Sequence, residues 1–164
     1  MKKYGYYRKW STKLSCQIQL PSVIIGERTG RYFMISTKGR YALRVMVDLA
    51  GQDTERFVPL KEVAGRQEIS EKYLEIIVRA LVKGKLLRGL SGKGGGYRLT
   101  RRPEEYTVGE ILELTEGTLA VVACLEKGAE DCARRESCRT LPMWERFNGM
   151  VREFFFGITL ADLL

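Results

Sequence analysis

Three cysteines carry the most distinctive chemistry in this chain. Cys124, Cys132 and Cys138 are separated by seven and five residues, and the first gap contains the polar, irregular run Glu126-Lys127-Gly128-Ala129-Glu130-Asp131. Three thiols in such a loop are badly placed to serve as core hydrophobes, and three is an awkward number for disulfide pairing. No apolar export segment precedes them, which also disfavours a structural disulfide. Thiolates are soft ligands and suit an iron–sulfur cluster or zinc. The chain contains no histidine, which excludes Ser-His-Asp hydrolases, Cys-His proteases and His-ligated zinc. Structural zinc would then lack its usual fourth ligand, whereas a cluster more readily accepts a non-cysteine one. The cluster is the preferred reading and zinc the alternative. Cys16 is a conceivable fourth thiolate but falls in a segment discounted below.

No Cys-x-x-Cys motif, cofactor fingerprint or acid–base constellation supports an enzyme. No run of eighteen apolar residues is present, so a membrane-spanning helix and a membrane partner are not expected, and the expected location is cytoplasmic. The net charge of +8 is unevenly spread. Residues 34–102 hold fifteen basic and seven acidic residues, a net of +8, whereas residues 103–164 hold six basic and twelve acidic, a net of −6. A basic middle beside an acidic end predicts two parts with different partners, of which only the first suits phosphate.

The basic part reads as three helices and a hairpin. Ser36 or Thr37 caps a helix with Ala42, Val45, Met46, Leu49 and Ala50 at three- and four-residue steps, ended by Gly51. A short helix from Leu60 to about Arg66 follows. After Gln67-Glu68-Ile69, Ser70 caps a third helix to about Lys83 that buries Leu74, Ile77, Val78 and Leu81. Two short helices joined by about three residues form a helix-turn-helix. Leu86–Leu90 and Tyr97–Thr100 then read as strands around Ser91-Gly92-Lys93-Gly94-Gly95-Gly96, the wing of a winged helix. This glycine run lacks the spacing of a nucleotide-binding phosphate loop and leads into a strand, not a helix.

In that architecture the third helix enters the major groove of double-stranded DNA. Ser70, Lys72, Tyr73, Glu75 and Arg79 are its candidate readers, although Tyr73 equally suits half-buried packing. Glu75 can only accept from a base donor such as cytosine N4. Ser36, Thr37, Lys38 and Arg40 at the first helix start suit backbone phosphates. On the wing, Ser91, Lys93 and Gly94 allow close approach to the DNA backbone, with Arg88 and Arg98 adding charge.

In the acidic part, Thr107 starts a helix with Val108, Ile111, Leu112 and Thr115 on one face, ended by Gly117. A long helix begins near Leu141-Pro142. Its Trp144, Phe147, Met150, Val151, Phe154 and Phe155 recur at helical steps and predict a face shared with a second copy, since twofold dimers match palindromic operators. Ile158-Thr159-Leu160-Ala161-Asp162 begins a last capped turn. The expected fold is therefore mainly α with a small β-hairpin: a winged helix-turn-helix domain at 34–102, followed by a cluster-binding loop and dimerisation helices at 103–164.

Residues 1–33 carry a basic-aromatic run, Lys2 to Trp10, without helical or strand period. Met34 opens a well-patterned helix, and Gly30-Arg31 can be encoded as a purine-rich ribosome-binding sequence. The first thirty-three residues are thus expected to be a disordered extension or not to be made in the cell.

Together, Met34-Ile35-Ser36-Thr37-Lys38-Gly39-Arg40-Tyr41-Ala42-Leu43, the Gly-Lys-Gly-Gly-Gly-Tyr wing, the spaced cysteines and the Trp144…Ile158-Thr159-Leu160-Ala161-Asp162 ending resemble the IscR-type bacterial transcription factors. Relatives of these include the nitric-oxide sensor NsrR and the cysteine-metabolism regulator CymR. The resemblance spans residues 34–164. It implies a homodimer that binds an operator, a [2Fe–2S] cluster on Cys124, Cys132 and Cys138, and control of iron–sulfur biogenesis genes by cluster occupancy. A scaffold or other protein donor of the cluster is a further partner it implies. At the family's fourth-ligand position, three residues after the last cysteine, histidine is replaced by Leu141. The early aspartate that NsrR-like members use is replaced by Arg40. Glu126, Glu130, Asp131 and Glu136 are local substitutes. A cluster-free, partner-controlled CymR-like regulator and a nitric-oxide-sensing NsrR-like repressor are the alternatives.

Overall fold

A computed structural model describes residues 35–53, 55–130 and 132–164. The proposed extension at residues 1–33, and Cys16 with it, lies outside the described residues. Ser36 caps the first helix, α1 (Thr37–Ala50), by accepting a hydrogen bond from the Gly39 amide at 3.2 Å. Helix α2 (Leu60–Gln67) ends where Glu68 takes a left-handed conformation, φ 54°, which turns the chain into α3 (Glu71–Lys83). Ser70 caps α3, as its spacing predicts, accepting from the Tyr73 amide at 3.4 Å.

Polar contacts hold the first helix of the helix-turn-helix, α2, to α1. Arg66 of α2 binds Asp48 of α1 through two hydrogen bonds of 3.0 and 2.7 Å, and Gln67 donates to the same carboxylate at 2.9 Å. The Asp48 side chain is nearly buried, and its carboxylate holds the Arg66 guanidinium above its ordinary pKa. A bidentate pair of this kind fixes orientation as well as contributing energy.

Strands β1 (Leu87–Leu90) and β2 (Gly96–Leu99) form an antiparallel hairpin with Leu87 opposite Leu99 and Leu90 opposite Gly96. Val58 adds a third element that the sequence pattern does not reveal. Its amide and carbonyl exchange 2.9 Å hydrogen bonds with Tyr97, which ties the wing to the segment leading into α2. Gly96 permits this approach: at φ 156°, a Cβ there would lie 2.3 Å from the Val58 carbonyl oxygen.

The main core joins α1 and α3, and it also takes in Tyr106, Ile111 and Leu160 from the acidic part. The core thus runs unbroken past residue 102. Helix α4 (Val108–Glu116), capped by Thr107, buries Val108, Ile111, Leu112 and Thr115 as its spacing predicts. A second cluster, Val108, Leu112 and Leu119, receives Phe155 and Phe156 from the end of α5 (Leu141–Phe156) and Ile158 just beyond it. Gly109 allows this contact, since a Cβ there would sit 2.5 Å from the Phe156 ring. The chain end then returns beside the start of α4, with the Val108 amide donating to Ile158 and the Leu160 amide to Tyr106. The final turn forms over Ala161–Leu163, with Asp162 accepting from the Thr159 amide and hydroxyl. Among the described residues no helix is long and apolar enough to cross a membrane.

Candidate functional site

The outer face of α3 and the wing bound an open groove lined by Glu75, Arg79, Leu90, Ser91, Gly92 and Tyr97. Ser70, Lys72, Glu75 and Arg79 are exposed, as are Ser91, Lys93 and Gly94 at the wing tip. Tyr73 is half-buried and packs edge-on against Tyr41, ring centroids 5.8 Å apart. Its ring therefore helps to seat α3 on α1. Arg88 is exposed and Arg98 half-buried; directly opposed in the hairpin, they share a sheet face, and neither lines the groove. The Arg98 guanidinium donates to the Glu55 carboxylate at 3.0 Å and stacks over Phe57 at 4.8 Å, so it braces the hairpin base.

The four residues at the start of α1 divide by role. Thr37 and Arg40 are exposed, and Arg40 donates to the Thr37 hydroxyl at 3.0 Å. Ser36 and Lys38 are engaged internally by the far end of α4. The Ser36 amide and hydroxyl donate to Glu116 at 3.0 and 2.9 Å, and the Lys38 ammonium donates to the Thr115 carbonyl at 3.0 Å. Each charge sits where a helix dipole favours it, the carboxylate at an N-terminus and the ammonium at a C-terminus. These contacts cross 77 and 80 residues of sequence, which is why local spacing does not show them.

Tyr106 is a structural centre that periodicity misses. It is fully buried, and its hydroxyl donates to the Leu86 carbonyl at 2.9 Å while accepting from the Thr100 and Arg101 amides at 2.8 Å each. One side chain thus fastens both base strands of the wing to the segment leading into α4. The polar hydroxyl in a loop and the following Thr107 cap were the available clues.

The cysteine loop lies between α4 and α5. Cys124 and Cys138 are half-exposed, Cys132 is exposed, and all three are free thiols. Cys138 stands just before α5, 3.5 Å from the Thr140 hydroxyl. That hydroxyl and the amides of Thr140 and Leu141 hold the thiol below the ordinary cysteine range. The donor set matches a soft metal or cluster in type: three reachable thiols and no histidine. It is not assembled in position, because among the described residues no three Cys, Asp or Glu side chains converge at metal-ligating distance. Leu141 begins α5 at the position of the expected fourth ligand, half-buried and without a donor atom. Glu126, Glu130 and Glu136 are exposed, and Asp131 lies outside the described residues.

Helix α5 separates the predicted shared face into two seams. Val151 is buried within the chain, and Phe155 and Trp144 are half-buried on the same side. Phe147 and Phe154, by contrast, are 44% and 63% exposed, in line with Met143 and Met150 at 54% and 59%. The outward seam therefore consists of residues 143, 147, 150 and 154. Val151 is instead buried within the chain, and Phe155 packs on the cluster formed by α4.

A helix-turn-helix with an exposed reading helix, a glycine-tipped wing and a helix with an unfilled apolar seam defines a winged-helix, DNA-binding transcriptional regulator. Residues 35–164 match the Rrf2 family, described as "Iron-dependent Transcriptional regulator", and the chain belongs to that family. It is 35% identical over 130 residues to the HTH-type transcriptional regulator IscR of Aliivibrio salmonicida, covering 79% of this chain and 76% of the relative. It is 38% identical over 129 residues to the HTH-type transcriptional regulator CymR of Bacillus subtilis, covering 79% and 88%. Among solved structures, CymR, the global cysteine regulator of B. subtilis, superposes with a TM-score of 0.63 at 36% identity, over 79% of this chain and 94% of that one. The IscR of T. potens superposes with a TM-score of 0.61 at 35% identity, over 79% and 84%. These relatives are regulators, not enzymes.

Proposed function

We propose that the chain is a homodimeric, operator-binding regulator of iron–sulfur biogenesis genes in which Cys124, Cys132 and Cys138 hold a [2Fe–2S] cluster as the sensing element. The observation that carries this reading is the placement of three free, solvent-reachable thiols between α4 and α5. That segment joins the DNA-reading core to the helix with the outward apolar seam. When bound, a cluster supplies three thiolate bonds to the loop and a lability toward oxidants. The protein's own part is mechanical. Ordering of residues 124–138 sets the start of α5, while Phe155 and Phe156 hold its end on α4. Helix α4 in turn packs on α1 beneath the reading helix. Coupling of this kind changes DNA affinity only as far as the two loop states differ in energy.

The test is an anaerobic absorption spectrum of freshly isolated protein, with iron and acid-labile sulfide per chain and DNA affinity before and after cluster loss. Visible bands with about two iron and two sulfide per chain, and a changed affinity on removal, are expected. A colourless protein that resists anaerobic reconstitution overturns the cluster.

A second reading is favoured by the absence of converged ligands among the described residues and by Leu141. Under it, the chain is a cluster-free regulator controlled by a protein partner. It predicts DNA binding indifferent to iron and to Cys→Ala changes at all three positions.

A further inference from the structure

The outward face of α3 contains one residue that its charge pattern does not explain. Lys72, Ile76, Arg79 and Lys83 follow at steps of four, three and four and share one side of the helix. Ile76 is 54% exposed, although Leu74, Ile77, Val78 and Leu81 of the same helix are buried. It belongs to neither core cluster and is not among the partly buried hydrophobics packed on them. Ile76 is also the sixth residue of α3, within the half of the helix that reaches base edges in a helix-turn-helix complex.

The surroundings determine what such a side chain suits. A protein-docking patch needs neighbouring exposed apolar area, whereas the exposed helical neighbours here are the Lys72 ammonium and the Arg79 guanidinium, Tyr73 and Ala80 being half-buried toward the chain. Those cations match the phosphate walls of a DNA groove. On the floor of the major groove, the apolar feature that distinguishes base pairs is the C5-methyl of thymine. We propose that Ile76 reads a thymine methyl, giving this regulator a preference for a T·A pair in each operator half-site beside the position faced by Glu75. The inference rests on α3 being the recognition helix.

The experiment uses the full chain. Binding sites are enriched from a random duplex library, and the best site is resynthesised with each thymine in turn replaced by deoxyuridine, which removes only the methyl. One thymine per half-site is expected to lose about three- to fivefold in affinity on replacement, the factor for one buried methyl. The Ile76→Ala variant, altered only at an exposed position, is expected to bind the thymine and uracil duplexes equally. The proposal fails if no thymine is sensitive, or if the sensitivity persists unchanged in Ile76→Ala. If the library enriches no sequence at all, the reading of α3 as a recognition helix falls, and this inference falls with it.

Discussion

Replacing Tyr106 with phenylalanine removes one oxygen from the centre of the molecule and leaves the ring volume in place. The hydroxyl satisfies three backbone groups at 2.8 to 2.9 Å: the Thr100 and Arg101 amides and the Leu86 carbonyl. The carbonyl keeps only a shared donor, because the Thr100 hydroxyl lies 3.3 Å from it but has one proton and stands closer, at 2.8 Å, to the Lys85 carbonyl. The two amides keep no protein partner there, but both belong to exposed residues, so water relieves part of the loss. At about 1 kcal/mol for each unpaired amide and roughly half that for the weakened carbonyl, the expected destabilisation is about 2–3 kcal/mol. The Arg101 guanidinium, 4.3 Å from the ring centroid, can stack on phenylalanine equally well and should not add to it. Urea unfolding followed by far-ultraviolet circular dichroism, at one fixed protein concentration, reads the effect as a fall in midpoint at unchanged slope. With a slope of about 1–3 kcal/mol/M, the midpoint should drop by roughly 0.7–3 M. A midpoint within about 0.2 M of the parent would mean that the wing base is held by something other than this hydroxyl.

Other perturbations address other links. Gly96→Ala forces a Cβ to within 2.3 Å of the Val58 carbonyl oxygen at a φ that L-residues rarely adopt, so it should cost more than about 2 kcal/mol and weaken DNA binding, read by thermal unfolding and gel shift. The Asp162 carboxyl is held below the usual aspartate range by the Thr159 amide and then its hydroxyl. Its contribution to stability is therefore present above that range and is lost as pH falls through the depressed value. A carboxyl NMR titration should place its midpoint below that of an ordinary aspartate, and Thr159→Ala should move it partway back. Phe147→Asp and Phe154→Asp place charge on the outward seam of α5 and should give the mass of one chain, not two, in light scattering, with the helical circular dichroism retained.

Much of the fold was legible because each helix states its period and its ends locally. Ser36, Ser70 and Thr107 all cap as their positions predict, and Gly51 and Gly117 stop the helices they follow. What escaped was settled over long sequence distances. Val58 joins the sheet through a single residue, too short to alternate. Ser36 and Lys38 look like phosphate ligands until the end of α4 arrives to engage them. Arg98 alternates correctly in its strand, yet Glu55 and Phe57 decide where its charge goes.

Helix α5 shows the same limit in its sharpest form. Residues 143, 147, 150 and 154 and residues 144, 148, 151 and 155 follow the same four-three-four spacing, one residue out of phase, so periodicity alone merges them into a single wide stripe. Only the chain's own packing separates them. Gly109 and the cluster at Val108, Leu112 and Leu119 accept Phe155 and Phe156, while Asn148 in the same seam takes the Val121 amide at 3.2 Å. The inner seam is thus filled by α4 and by the first residues of the cysteine loop, and the outer seam stays exposed on the chain's surface. Because the two seams share one helix backbone, a rotation of α5 that alters one must alter the other. Under the proposed function, an agent that reorganises the loop through its thiols would reach the outer seam by turning α5 itself, through contacts such as that of Val121 with Asn148.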